Sequence, residues 1–226
     1  MQTAVALRTE KQPRTITART QRVYDHLAAV YPASTFFFHS KAHKQALEMS
    51  GLRNGMSVLE VATGSGEMFR RLIKANSGGY TCGVDLSPKM AARTQRVARR
   101  KFPSVTLDCQ AVDARVLPYR CDVFDAVFCC YLFELLGSAD TESTLEEIHR
   151  VMKPRATFAI VLIGDQHTTF FNKAYHVAGS LVPAFWGRQV ATKFPELVQR
   201  ANFRIVEDRQ IRQGFYPSRI LIARKD

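Results

Sequence analysis

The segment Ser57-Val58-Leu59-Glu60-Val61-Ala62-Thr63-Gly64-Ser65-Gly66-Glu67 constrains this chain more than any other. It reads as a short buried strand with an acid near its end, a loop of small residues, and a helix. Gly64 and Gly66 let the backbone approach a ligand that a Cβ would push away. The first N–H groups of the helix point at the same place. Such a strand–turn–helix belongs to an α/β sheet and to a nucleotide-binding turn. A carboxylate beside the loop repels a pyrophosphate and suits a cationic ligand, so Glu60 argues against a dinucleotide. The spacing agrees: G-x-G-x-x-G needs a third glycine at 69, which is Phe69, and the register from Ala62 gives A-x-G-x-G.

The same alternation continues downstream. Tyr80 to Val84 reads as a strand, and Ser87 with Pro88 opens a helix. Val105 to Cys109 and Phe124 to Tyr131 read as strands, the second broken only by Asp125. Thr141 to Met152 is a helix stopped by Lys153-Pro154, and Thr157 to Ile163 is a strand. Continuous apolar strands between helices mean a parallel sheet covered on both faces. Phe203 to Gln210 and Arg219 to Arg224, joined by Gly-Phe-Tyr-Pro, read as an antiparallel hairpin at the sheet edge. Upstream, Val23, Leu27 and Val30 recur at helical spacing between Thr17 and Tyr31. The cluster Phe36-Phe37-Phe38 follows, then a helix from Lys41 to Gly51 with Gly51 as its C-cap. The expected organisation is a flexible basic tail over 1–15 and a single domain over 16–226. Within it, helices 16–51 and an insert over 165–203 cover the substrate.

At 226 residues and 46% apolar content, one domain can bury a sizeable core. No apolar run approaches the roughly 20 residues of a membrane span, and Met1 to Leu7 is too short for a secretory signal. A transit peptide over Arg8 to Arg22 competes with the flexible tail. The five cysteines, Cys82, Cys109, Cys121, Cys129 and Cys130, form no CxxC pair. They read as small buried hydrophobes in a reducing, cytoplasmic setting. No HExxH motif is present, and no metal is expected. The net charge of +12 attracts anionic surfaces: phospholipid headgroups, nucleic acid or acidic small molecules. A merely solvated basic surface competes with that reading.

In an open α/β sheet the ligand sits beyond the carboxyl ends of the strands. Besides the glycine turn, three strand ends carry suitable chemistry. Asp85, in Gly83-Val84-Asp85, lies 19 residues past Gly66, where a carboxylate can accept from both hydroxyls of a ribose. In Val112-Asp113-Ala114 the carboxylate can take an adenine amine, and the next N–H a ring nitrogen. Cys130-Tyr131-Leu132-Phe133-Glu134 closes the fourth strand, with Tyr131 beside the reacting atoms or, alternatively, capping the core. Glu134 reads as a first-turn helix acid.

Together E-V-A-T-G-S-G, G-V-D-L-S, V-D-A-x-x-L-P-Y, F-D-A-V and E-I-H-R-V-M-K-P resemble the class I S-adenosylmethionine-dependent methyltransferases. The likeness is to the group with the ubiquinone/menaquinone C-methyltransferases and bacterial phospholipid N-methyltransferases, and covers about Val23 to Ile163. It implies a three-layer α/β/α Rossmann-like fold with a seven-stranded, mostly parallel sheet whose last strand is antiparallel. By motif, Glu60, Ala62, Gly64 and Gly66 would line the methionine part of S-adenosylmethionine, with Cys130 at the neighbouring strand end. Asp85 would hold the ribose, Leu86 would pack on the adenine, and Asp113 and Ala114 would read its edge. Tyr24 would close over the cofactor. Ala62 departs from the glycine that many members carry, and Arg155-Ala156 from the usual Pro-Gly-Gly.

The expected reaction is a direct displacement yielding S-adenosylhomocysteine, which needs alignment and exclusion of water. A base is needed only if the nucleophile arrives protonated. His39 is the candidate, against a structural role; His149 reads as a surface residue. Aromatics at Phe36 to Phe38 and at Phe170, Phe171, Tyr175, Phe185 and Trp186 suit a lipid-like acceptor, a phospholipid amine or a quinone ring. The helix Lys89 to Lys101, with six cations and no acid, could rest on an anionic membrane. The alternatives are a nucleic-acid methyltransferase, disfavoured because no Asn/Asp-Pro-Pro-Tyr/Phe motif or RNA-binding module is present, a cofactor-binding protein without catalysis, and an NAD enzyme.

Overall fold

The computed structural model describes residues 34–164, 191–212 and 217–226, with side chains from Ser40 onward. The tail, the helix over 17–31 with Tyr24, the side chains of Phe36 to His39, and the aromatics from Phe170 to Trp186 lie outside the described residues. In chain order the elements are α1 (Ser34–Ser50), β1 (Ser57–Val61), α2 (Glu67–Ala75), β2 (Tyr80–Asp85), α3 (Pro88–Lys101), β3 (Thr106–Ala111) and β4 (Phe124–Cys130). A 3-10 turn over Phe133–Leu135 leads to α4 (Ser138–Val151), β5 (Met152–Ile163), α5 (Phe194–Arg200), β6 (Phe203–Ile211) and β7 (Ser218–Lys225).

The seven strands form one sheet in the order β3-β2-β1-β4-β5-β7-β6. β1 to β5 pair in parallel, and β7 runs antiparallel between β5 and β6. The strand order reverses between β1 and β4, so the crevice beyond their carboxyl ends is the switch point where a ligand fits. Side chains alternate across the sheet. Leu59, Val61, Val127 and Cys129 face Leu145, Ile148, Phe194 and Val198. Val58, Ala126, Phe128, Ala159 and Val161 pack with Ala42 and Ala46 of α1 and Met68 and Leu72 of α2. Glu60, two residues after Val58, shares the α1/α2 side. Among the described residues no helix is long and apolar enough to cross a membrane.

Several boundaries differ from the sequence reading. α1 starts at Ser34 and takes in Phe36 to Phe38, because no glycine or proline interrupts 34–50 and a phenylalanine costs helix only a few tenths of a kcal/mol. Lys153-Pro154 does not end α4 against a loop. The chain passes at Met152 straight into β5, and the ladder with β4 slips between Phe124 and Ala126. Pro154 falls within that slip, beside Arg155 at φ 64°, where its missing N–H breaks no ladder bond. β3 runs Thr106 to Ala111, one residue later at its start and two at its end.

Gly83 locks β2 to its neighbours. A Cβ there would stand 2.5 Å from Thr63 Cγ2, 3.0 Å from Phe69 Cε2 and 3.2 Å from Cys109 Sγ. Gly83→Ala is expected to destabilise the fold by about 2–3 kcal/mol through overpacking; an unchanged urea midpoint would refute it.

Candidate functional site

Between β1 and α2 the backbone turns through left-handed conformations at Ala62 (φ 64°), Gly64 (φ 48°) and Gly66 (φ 71°). The two glycines do different work. A Cβ on Gly66 would come within 2.9 Å of Thr94 Oγ1, so this position seats α2 against α3. A Cβ on Gly64 would meet nothing nearer than the Ala62 carbonyl at 4.0 Å, so this position faces open space, as a ligand cradle requires.

Asp85, at the end of β2, ties the turn to α3. Its Oδ2 accepts the Gly64 N–H (2.7 Å) and its Oδ1 the Ser87 N–H (2.9 Å). Burial pushes the carboxyl pKa up, while the Ser87 and Gly64 N–H groups and the Thr63 hydroxyl oppose the rise. Ser87 caps α3 itself, accepting from Met90 N–H at 3.4 Å.

Glu60 is 2% exposed, and its Oε2 has no hydrogen-bond partner among the described residues. Burial pushes its pKa well above the carboxylate range. The Asp85 and Glu67 charges add to the rise, and Arg70 opposes it. An orphaned buried carboxyl with two acids near it is costly alone and suits a cation. S-adenosylmethionine, with an ammonium and a sulfonium, has the charge such a turn would accept, so these residues fit the group that the motifs imply.

β3 is drawn in by the Val112 N–H on the Asp85 carbonyl (2.9 Å). Here the geometry departs from a simple adenine reader. Asp113 is gripped by Arg115 through Nε (3.0 and 3.1 Å), Nη2 (2.7 Å) and the backbone N–H (3.0 Å), and Arg115 also holds Asp140 (2.8 Å). An adenine amine could use this carboxylate only by displacing the guanidinium. Leu86 is half-buried beside Asp85, and Ala114 packs against the core edge.

At the end of β4, Cys130 packs beside the core shared with α1, its thiol pKa raised by burial. Tyr131 has φ 56°, its N–H bonds the Val161 carbonyl (2.8 Å), and its hydroxyl meets Ser218 Oγ at 2.7 Å. Its ring centroid lies 5.9 Å from that of His43. His43, 6% exposed, sets Nδ1 at 3.3 Å from Glu67 Oε2. Glu67 Oε1 accepts from Arg71 (2.9 and 3.2 Å), and Arg71 also reaches Ser40 Oγ (2.7 Å). Burial would push the Glu67 carboxyl up, but hydrogen bonding and charge from His43 and Arg71 outweigh it and lower its pKa.

His43, Glu67 and Ser218, which sequence reasoning passed over, are brought beside Tyr131 and the glycine turn. His43 stands four residues after His39 on one helix, a spacing that could have drawn attention to it; nothing in the sequence singles out Ser218. His149 is not a surface residue: half-buried, it packs edge-on against Phe203 at 5.0 Å, among residues of the opposite sheet face.

Glu134 also differs from expectation. It sits in the 3-10 turn, 3% exposed, with Oε1 accepting the Ile163 N–H at 2.6 Å and Oε2 without a hydrogen-bond partner among the described residues. Burial raises its pKa from 4.5 to about 7, held back by the Ile163 N–H and its own. The folded chain therefore keeps a proton that the unfolded chain releases. The stabilising contribution is full below the unfolded value and is lost as pH rises through about 7. That loss is roughly 3 kcal/mol. In urea unfolding from acid to pH 8, Glu134→Gln should show the shallower fall of stability with pH; equal slopes would remove this assignment.

Residues 58–155 match a family model described as a methyltransferase domain. The chain is 27% identical over 151 residues to the 2-phytyl-1,4-naphtoquinone methyltransferase of Nostoc sp. (strain PCC 7120), covering 65% of each chain. It is 30% identical over 147 residues to an uncharacterized protein of Mycobacterium tuberculosis (strain H37Rv), covering 62% of this chain and 52% of that one. The chain thus spans less than two thirds of the length of these curated relatives. Among solved structures, a chain in the complex of the Haloferax volcanii Trm112 activator with a putative methyltransferase aligns with TM-score 0.74 at 20% identity, over 91% of this chain and 97% of that one. The [4+2]-cyclase SpnF aligns with TM-score 0.66 at 20% identity, over 82% and 80%. At such identities these structures speak for the fold, and a cyclase among them shows that the fold does not dictate the chemistry. Residues 58–155 thus match a methyltransferase domain, and the strand order and motif set are similar to those of the class I S-adenosylmethionine-dependent methyltransferases.

Proposed function

We propose that the protein moves a methyl group from S-adenosylmethionine to a small hydrophobic acceptor, and that this acceptor carries a quinone-type ring in its reduced, hydroxylated form. The observation that carries the cofactor half is the buried Glu60 carboxyl, whose Oε2 has no hydrogen-bond partner among the described residues, beside a turn open at Gly64. The acceptor half draws on the naphthoquinone named for the Nostoc relative and on chemistry: an oxidised quinone ring is itself an electrophile, whereas the hydroquinone offers a nucleophilic carbon.

When bound, S-adenosylmethionine supplies an electrophilic methyl on a sulfonium sulfur. Glu60, with Ala62, Gly64 and Gly66, would hold the methionine end, and Asp85 the ribose. Leu86 would lie against the adenine, with Ala114 and, once Arg115 gives way, Asp113 at its edge. Tyr24 would cover the cofactor. Cys130 and Tyr131 would form the wall between cofactor and acceptor. The side chains' task is alignment and exclusion of water.

A phospholipid amine is the second acceptor. The cations of α3 favour it: Lys89, Arg93, Arg96, Arg99, Arg100 and Lys101 are all exposed, on a helix without an acid, and would draw the protein to an anionic membrane.

Labelled-methyl transfer from S-adenosylmethionine into a prenylated naphthohydroquinone, a total lipid extract and an RNA pool, run in parallel, tests both. Label is expected in the hydroquinone, or among the amine phospholipids under the second reading. Label in RNA alone overturns them. Tight cofactor binding with no transfer anywhere marks a binding protein, and binding of NADH in preference overturns the cofactor.

A further inference from the structure

We propose that Arg115 is a built-in competitor for the cofactor's adenine amine. Its guanidinium holds Asp113 until the base arrives and then rests on Asp140, so it sets how tightly an amine-bearing purine is taken. This rests on the S-adenosylmethionine reading above and deepens it.

The fold puts this pair next in line after Asp85. β3 runs beside β2 in parallel as far as the pair Asp85 and Ala111. The Val112 N–H on the Asp85 carbonyl (2.9 Å) carries the pairing one residue further. Asp113 therefore follows beside the strand end whose carboxylate holds the glycine turn.

A carboxylate offers about four acceptor positions, two on each oxygen. Arg115 alone engages both oxygens twice. Oδ1 of Asp113 accepts from the Arg115 backbone N–H (3.0 Å) and from Nε (3.0 Å). Oδ2 accepts from Nε (3.1 Å) and Nη2 (2.7 Å). Nη1 reaches the other way, to Asp140 Oδ1 at 2.8 Å. Hydrogen bonds to Asp113 and Asp140 raise the guanidinium pKa against the opposing effect of burial. It is charged at any working pH. An amine that donates to Asp113 must take the place of Nε and Nη2.

The loop does not need this guanidinium to keep its shape. Val116 N–H bonds the Asp113 carbonyl (3.0 Å), Leu117 N–H bonds Glu147 Oε2 (2.8 Å), and Arg150 holds the Leu117 carbonyl (2.9 Å). These contacts and that of Val112 hold residues 112–117 without the Arg115 side chain. What the guanidinium changes is the state of the Asp113 carboxylate.

The pair is also free to part. The Arg115 side chain is 27% exposed, and Asp140, in the first turn of α4, is 45% exposed. An ion pair in contact with water shifts an equilibrium by about fivefold at most. Release from Asp113 leaves the fork one acid, Asp140, on which to stay. Asp140 thus lowers the cost of making room for the base.

Calorimetry with two stable ligands separates a competitor from a tether. One is S-adenosylhomocysteine; the other is its analogue with hydrogen in place of the purine 6-amino group. They differ only in the amine, so any other effect of losing the guanidinium moves both together. Arg115→Met removes every side-chain donor and keeps the stem. It should bind S-adenosylhomocysteine about fivefold more tightly than wild type, and the analogue within about twofold of it. Arg115→Ala takes its place should the first variant fail to fold. Asp140→Asn removes the acid on which the displaced fork rests. It should weaken S-adenosylhomocysteine about threefold and again leave the analogue within about twofold. If both substitutions weaken both ligands alike, Arg115 is a tether and the proposal is overturned. A folded Arg115 variant with unchanged affinity for S-adenosylhomocysteine overturns it too, and leaves the cofactor reading standing. A wild type that binds neither ligand removes the cofactor reading and this proposal with it.

Discussion

Asp85→Ala is expected to lower S-adenosylmethionine affinity by about 1,000-fold. Two ribose hydroxyls on one largely buried carboxylate make two charge-assisted hydrogen bonds, each worth about 1.5–3 kcal/mol. Together they supply roughly 4 kcal/mol, or about three decades in the dissociation constant. The substitution does more than remove a ligand contact. Asp85 also accepts the N–H groups of Gly64 and Ser87, so alanine leaves both without this partner and loosens the turn. A loss of about 1–2 kcal/mol in unfolding free energy should accompany the loss of binding. Asparagine is no silent replacement either. Both Asp85 oxygens face donors, and an amide offers only one acceptor. Asp85→Asn should therefore also weaken binding and lower stability. Calorimetric titration with S-adenosylmethionine, paired with urea unfolding, reads the two effects separately. Unchanged affinity in a folded Asp85→Ala protein would eliminate the ribose assignment.

Glu60→Gln should move stability and binding in opposite directions. In the cofactor-free fold Glu60 is a carboxyl buried beside two acids, Asp85 and Glu67. Its folded pKa is raised, so its contribution to stability is present below the unfolded value, about 4.3, and is lost as pH rises through the folded value. At pH 8 the chain folds against the cost of either holding that proton or burying the charge. Glutamine removes the cost and should stabilise the cofactor-free protein by about 2 kcal/mol at pH 8, with little effect at pH 4.5. It should also reduce S-adenosylmethionine affinity about 100-fold, because the negative charge opposite the cation is gone. Thermal melts at both pH values, with and without S-adenosylmethionine, test this. A Glu60→Gln protein that is less stable than wild type at pH 8, or binds as tightly, contradicts the role given to Glu60.

These two carboxylates show how far the residues alone could be read. That Glu60 and Asp85 stand at strand ends beside a glycine turn follows from apolar runs and spacing, which are local properties of the chain. That Glu60 Oε2 lacks a hydrogen-bond partner among the described residues follows from α1 and α2 closing over its side of the sheet. Asp113 was legible as a strand-end acid, but the hold of Asp140 on its partner Arg115 depends on where α4 begins. Glu134 reads as an ordinary turn acid until β5 brings the Ile163 N–H to it. The proline at 154 reads as a stop, and becomes a strand residue only because the β4–β5 ladder slips there. His39 drew attention for its aromatic neighbours, while His43, one turn along, is the histidine shown against Glu67 and Tyr131.

Strand and helix order, the open turn at Gly64, the capping by Gly51 and Ser87, and the edge hairpin were determined by the sequence itself. Hydrophobic period, glycine conformation and capping chemistry act over a few residues and are written there. The environment of each ionisable group was decided only by the tertiary structure. Desolvation and charge pairing depend on segments far apart in the chain, as when Tyr131 meets Ser218 across 87 residues, and the strength of a buried charge is set by everything packed around it.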